Sequence, residues 1–197
     1  MTMTINTNEV SRMCSDDRKT GKLNFVRGNR IHILGEFDNS ISSDVIPDLI
    51  DLIDTMKFAK DPKIEIYINS YGGYATELLG LLTLIDLAKK SGIKIITYNI
   101  GSAYSCGSIL AIIGDMRYMY RYADNLPHLG QVFINPQTIE QLNRGAQHAF
   151  DWFSMITEIY AKYTKIPQKE LSRILRDDDY HMTAGECLKY GFCDEII

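Results

Sequence analysis

IKIITYNIGSAYSCGSILAI, Ile93 to Ile112, is the stretch on which the fold turns. Its opening residues, IKIITYN, are rich in β-branched and aromatic side chains and read as a strand. Its last residues, SILAI, continue a helix. Between them lie small and hydroxyl residues that interrupt regular structure, so the segment predicts a strand, a sharp turn and a buried helix. A side chain on such a turn is held rigidly. Ser102 or Ser105 can serve there as a helix cap, or as an active hydroxyl.

The same alternation repeats upstream. IHIL (Ile31 to Leu34) and KIEIYIN (Lys63 to Asn69) are further β-rich runs. Helical segments follow them at about Ser42 to Phe58 and Ala75 to Lys90. Strands separated by helices imply repeated βαβ units, a largely parallel sheet and an α/β fold. In such sheets a ligand site forms at the carboxyl ends of the strands, where turns enter helices. Two turns stand there, NSYGGY (Asn69 to Tyr74) and GSAYSCG (Gly101 to Gly107). Farther on, Gln137 to Tyr163 reads as one long helix. Its apolar positions, Ile139, Leu142, Ala146, Ala149, Phe153, Ile156, Tyr160 and Tyr163, recur in steps of three and four. Such a seam suits packing on a partner's helix or on the domain's own core.

Composition narrows the function classes. A chain of 197 residues that is 45% hydrophobic is long enough for one domain with a full core. A net charge of −4 offers no basic footprint for nucleic acid. Cys14, Cys106, Cys187 and Cys193 form no C-x-x-C pair, so neither a disulfide framework nor a metal site is indicated, and reduced, cytoplasmic thiols are expected. The first thirty residues lack a signal-peptide core. The longest uncharged stretch, Ile95 to Gly114, is interrupted by polar and small residues, so no membrane span is expected.

If Ser105 is a nucleophile it needs a base, a group to orient that base, and N–H donors for the oxyanion. Of four histidines, His32 lies in a β-run and His148 in the long helix, whereas His128 sits in a loop and is the best base candidate. RDDDYHMTAGE offers Asp177, Asp178 and Asp179 as orienting carboxylates, or as charges at a helix start. A glycine turn permits close backbone approach, which nominates the N–H groups of Gly73 and Cys106 as donors. Cys106 itself is the competing nucleophile, or a small buried hydrophobe.

Four separated motifs then fall in one order: INSYGG (Ile68 to Gly73), GSAYSCG, His128 after it, and DDDYHMTAGECLKYGFCDEII from Asp177 onward. Together with RIHILGEFDNSIS (Arg30 to Ser42), they give a chain that resembles the proteolytic subunits of Clp proteases, the ClpP family, from about Arg30 to the end. The resemblance implies a crotonase-like α/β fold with a protruding handle helix. It implies one protease domain over residues 30–197, with the handle at about 129–163, after a flexible polar segment at 1–29. It implies a serine endopeptidase acting on unfolded polypeptides, without a cofactor, in which Ser105, His128 and Asp179 are catalytic and Asp177 and Asp178 are helix-entry charges. Gly73 and Cys106 then supply the oxyanion donors, and Gly72, Tyr74, Ala75 and Leu129 contact the substrate strand. Homo-oligomeric rings of seven, stacked in pairs and served by an AAA+ unfoldase, are implied as well. The chain departs from the family pattern at Tyr71, where the family has proline, at Leu129-Gly130 after the histidine, and in QVFINPQ, where the family is glycine-rich. Such divergence suits an accessory or virus-encoded member. The alternatives to a protease are a catalytically weak subunit that acts as scaffold or modulator of a paralogous ring, and an acyl-CoA enzyme of the same fold.

Overall fold

A computed structural model describes residues 21–177 and 179–197. The expectations for residues 1–20 and for Asp178 lie outside them. Alternation builds the centre of the sheet. In β3 (Lys63–Ser70) Ile64, Ile66 and Ile68 are buried while Glu65 and Tyr67 face the opposite side. β4 (Lys94–Tyr104) does the same with Ile95, Thr97 and Asn99. The sheet runs in the order β1 (Asn24–Arg27), β2 (Arg30–Ile33), β3, β4, β5 (Met116–Met119) and β8 (Glu195–Ile196); β6 (Asp124–Leu126) pairs with β4, and β7 (Met182–Thr183) with β6. Only β1 with β2 and β6 with β7 are antiparallel among these pairings.

Helices connect the parallel strands, giving the expected α/β fold of βαβ units. α1 (Ile46–Met56), entered through a π-helical turn at Ile41–Val45, joins β2 to β3. α2 (Ala75–Lys90) joins β3 to β4, and α3 (Cys106–Ile112) joins β4 to β5. α4 (Ile139–Tyr163), α5 (Gln168–Ile174) and α6 (Ala184–Tyr190) follow β6. Among the described residues no helix is long and apolar enough to cross a membrane.

On the sheet face away from the buried isoleucines, register stacks an aromatic ladder. Phe25, His32, Tyr67, Tyr98 and Tyr118 are paired strand to strand, and successive rings are stacked with centroids 4.5, 5.3, 4.7 and 5.1 Å apart and planes nearly parallel. His32 is therefore a structural residue, and burial among these rings, with Arg30 and Arg27 nearby, lowers its pKa.

Several boundaries differ from expectation. β4 runs on to Tyr104, so GSAY is strand and the sharp turn shrinks to Ser105; small residues fit a strand whose neighbours crowd it on both sides. The sheet begins at Asn24, ahead of the domain start expected at 30. The buried Asn24 anchors it by donating its amide to Glu36 O and Ser40 Oγ. Asp177 does not enter a helix: it follows α5, and its carboxylate accepts from Asp179 N at 3.2 Å. α6 starts instead on a reciprocal cap between Thr183 and Glu186.

The two uses considered for the long helix divide it between them. Ile156 and Tyr160, near its carboxyl end, are buried in the core, whereas Ile139 and Leu142 are exposed at the other end. Tyr160 also fixes what lies beneath it. Its hydroxyl donates to Ser108 Oγ at 2.9 Å, and Ser108 donates to Asn125 Oδ1 at 2.6 Å, all three residues being buried. This chain ties α4, α3 and β6 together. Ser108→Ala removes the middle member and leaves the tyrosine donor and the amide acceptor unmatched. It is expected to cost about 2–6 kcal/mol, at roughly 1–3 kcal/mol per stranded group, read as a lower urea midpoint.

Candidate active site

Parallel register explains why distant residues meet. β6 lies beside β4 with Tyr104 opposite Leu126, and Ser105 N continues the ladder by donating to Leu126 O at 2.9 Å. Ser105 therefore leaves the end of one strand just where the chain leading to His128 leaves the other. On the opposite flank β3 pairs Ser70 with Ala103, which brings Gly72 and Gly73 against the same strand end. Three carboxyl ends converge, as a parallel sheet requires.

Ser105 occupies a strained backbone conformation, φ 54° and ψ −119°, and among the described residues it is the one non-glycine with positive φ. Such strain persists only where the surroundings impose it. Ser105 stands at the N-cap position of α3 but its hydroxyl makes no capping bond, and Ser102 lies within β4, so neither serine side chain caps the helix. The strand–Ser105–helix corner turns the serine side chain outward at the top of the sheet.

The glycine turn is built around Phe37. Phe37 N donates to Gly72 O, and Tyr74 N donates to Phe37 O, each at 2.7 Å. Gly72 and Gly73 have φ of +99° and +144°. A Cβ on Gly72 would stand 2.6 Å from Ser105 Cβ, and one on Gly73 would stand 2.5 Å from Phe37 O. Only glycine lets this loop lie so close to both.

His128 is half-buried, with its Nε2 shielded from solvent. The next residue is pinned twice: Leu129 N donates to Leu175 O at 3.0 Å, and Trp152 Nε1 donates to Leu129 O at 3.2 Å. A cavity of about 820 Å³ opens between these elements. Ser105, Cys106, His128, Gly73, Tyr74, Ala75 and Leu129 all line it; Gly72 lies directly behind Ser105. Its remaining walls are largely apolar, from Leu79, Ile109, Trp152 and Ile156.

Asp179 is not among the residues lining the cavity. It is exposed, on the turn before β7, and its carbonyl accepts from His181 N at 3.0 Å. β6 and β7 pair Asp124 with Thr183 and Asn125 with Met182. The ladder ends with these two pairs: beyond it Leu129 N donates to Leu175 O, and Asp179 stands on the turn between α5 and β7.

The thiol of Cys106 is buried and donates to Gly73 O at 3.4 Å, and burial pushes its pKa up to about 11. At pH 8 only about one such thiol in a thousand is ionised, and the thiolate is the nucleophile. Burial and the raised pKa fit the small hydrophobe of the two alternatives. Iodoacetamide at pH 8 is expected to leave Cys106 unmodified in the native protein and to alkylate it in urea, as read by peptide mass mapping.

Sequence reasoning missed three contributors: Phe37, which holds the glycine loop, and Trp152 and His148 of α4, which close the cavity. Trp152, the chain's one tryptophan and the neighbour of Phe153 in the apolar seam, is the available signal for one of them.

The family model described as Clp protease matches residues 17–197. An ATP-dependent Clp protease proteolytic subunit from Deinococcus radiodurans is 28% identical over 162 residues, covering 81% of this chain and 76% of its own. ATP-dependent Clp protease proteolytic subunit 2 from Streptomyces avermitilis is 28% identical over 195 residues, covering 96% of this chain and 93% of its own.

Proposed function

The chain belongs to the Clp protease family of peptidases, and from that premise we propose that it is a serine endopeptidase with Ser105, His128 and Asp179 as its triad. The carrying observation is the strained Ser105 at a strand–helix corner, facing the cavity that His128 also lines. The third member, Asp179, rests on its place in the family's motif, on the turn just before β7.

Ser105 Oγ attacks the peptide carbonyl carbon while His128 takes its proton. The N–H groups of Gly73 and Cys106 receive the oxyanion, and His128 returns the proton to the leaving amine. Water then hydrolyses the acyl-enzyme by the same route. Asp179 holds the imidazole in the right tautomer. The substrate lies extended along Gly72, Tyr74 and Ala75 on one side and Leu129 on the other, pairing by strand addition. The apolar wall of Leu79, Ile109, Trp152 and Ile156 takes an apolar side chain next to the scissile bond. The exposed amino-terminal half of α4, with Ile139 and Leu142, suits ring-to-ring packing in a chamber of stacked heptamers in the cytoplasm, fed with unfolded chains by an AAA+ ATPase.

Native mass spectrometry after incubation with a fluorophosphonate tests this. One adduct per chain, mapped to Ser105 and lost after heat denaturation, is expected on an assembly of ring mass. A ring that takes no adduct overturns the proposal in favour of a non-catalytic subunit, the reading that the exposure of Asp179 favours.

A further inference from the structure

Behind the proposed triad lies a second set of polar side chains that the mechanism above does not use. Asp124 Oδ2 accepts from Tyr104 OH at 2.5 Å and lies 3.2 Å from His181 Nδ1. The His181 ring meets Tyr104 edge-on at 5.0 Å. None of the three lines the substrate cavity. Their places in the chain are what matter. Tyr104 is the last residue of β4, immediately before Ser105. Asp124 opens β6, the strand that leads to His128. His181 precedes β7, two residues after Asp179.

We propose that Tyr104, Asp124 and His181 form a positioning cluster that holds the three segments bearing Ser105, His128 and Asp179 in catalytic register. The proposal rests on the triad reading above. One carboxylate engages a side chain from each of the other two segments, so that its two contacts fix three backbones at once. The need for such a tie is visible in the backbone. β7 is only two residues long and is joined to β6 by the pairs Asp124 with Thr183 and Asn125 with Met182. So short a ladder leaves the turn at Asp179 dependent on side chains. Both neighbours of Asp179 on that side are held: Tyr180 OH donates to Glu186 at 3.1 Å beneath the Arg173 guanidinium, and His181 meets Asp124. The tie also reaches the oxyanion loop. The ring of Tyr71, just before Gly72, packs on that of Tyr104 with centroids 5.3 Å apart.

A cluster that positions catalytic groups without touching substrate has a kinetic signature. Loosening it moves reacting groups by fractions of an ångström to an ångström, which lowers kcat and leaves substrate binding alone; a misplacement of about 1 Å costs roughly 100-fold. The test uses the assembled protein and a fluorogenic peptide, with Tyr104→Phe and His181→Phe, which keep a ring in place, and the pair Asp124→Leu and Asp124→Asn. Each phenylalanine variant is expected to lower kcat about tenfold with KM within about twofold of wild type. Asp124→Leu is expected to lose about 100-fold in kcat, and Asp124→Asn, whose amide oxygen still accepts from both partners, to recover most of it. Wild-type kcat in both phenylalanine variants overturns the cluster. So does an Asn variant no better than the Leu variant, or a kcat loss matched by an equal rise in KM. If Asp124→Leu does not assemble, the two phenylalanine variants decide. Wild-type cleavage that survives Ser105→Ala overturns instead the triad reading, and the cluster with it.

Discussion

Ser105→Ala is expected to abolish peptide cleavage while leaving the assembly mass unchanged. The size of the effect follows from what the hydroxyl does. Every covalent step passes through Ser105 Oγ, and the neighbouring Cys106 thiol is not poised to replace it, because it is buried with its pKa at about 11. Removal of the nucleophile in a serine hydrolase costs about 10⁶-fold in kcat. The fold has no comparable stake in the hydroxyl, which makes no cap bond to α3. The measurement is kcat on a fluorogenic peptide together with native mass. Residual cleavage above about one part in a thousand of wild type overturns the assignment, as that much rate requires a different nucleophile.

Gly72→Ala is expected to be nearly as damaging, by a different route. The added methyl would stand 2.6 Å from Ser105 Cβ and 3.1 Å from both Ser105 Oγ and Tyr104 O, at a backbone φ of +99° that alanine resists. Something has to yield. Tyr104 and Ser105 are held by the β4–β6 ladder, so the loop and the serine are pushed apart and the distance between nucleophile and oxyanion donor grows. A loss of about 100-fold in kcat follows from a displacement of that order. Fluorophosphonate labelling of Ser105 should slow in parallel. Gly28→Ala, in the turn between β1 and β2 and outside the cavity lining, is the control: it also has positive φ, +60°, but meets nothing within 4 Å, so it should cost about 1 kcal/mol of stability and retain cleavage. Equal kinetic losses in the two variants would show that backbone strain, and not collision with Ser105, governs the effect.

These two expectations differ in how much of them the sequence contains. Ser105 was nominated from GSAYSCG alone, but alongside Ser102. What separates them is that β4 continues to Tyr104, and a run of small residues does not announce where a strand ends. Ser102 becomes a strand residue because neighbours on both sides offer it partners. The collision at Gly72 was not legible at all, since it involves a residue 33 positions away on an adjacent strand.

By itself the sequence determined the alternation of strands and helices, hence a parallel α/β sheet with its site at the carboxyl ends, because hydrophobic periodicity is a local property of the chain. It also determined the long amphipathic helix and the motif order that names the family. The tertiary structure alone decided which half of that helix is buried, with Tyr160 seated on Ser108 and Ile139 left exposed. It decided that Ser105 and His128 share a cavity, through the pairing of Tyr104 with Leu126. And it decided that Tyr104, Asp124 and His181 meet, although 20 and 57 residues separate Asp124 from its two partners. Strand register is set by packing across the whole sheet, and a one-residue slip would send each of these side chains to the other face. No local pattern records that choice.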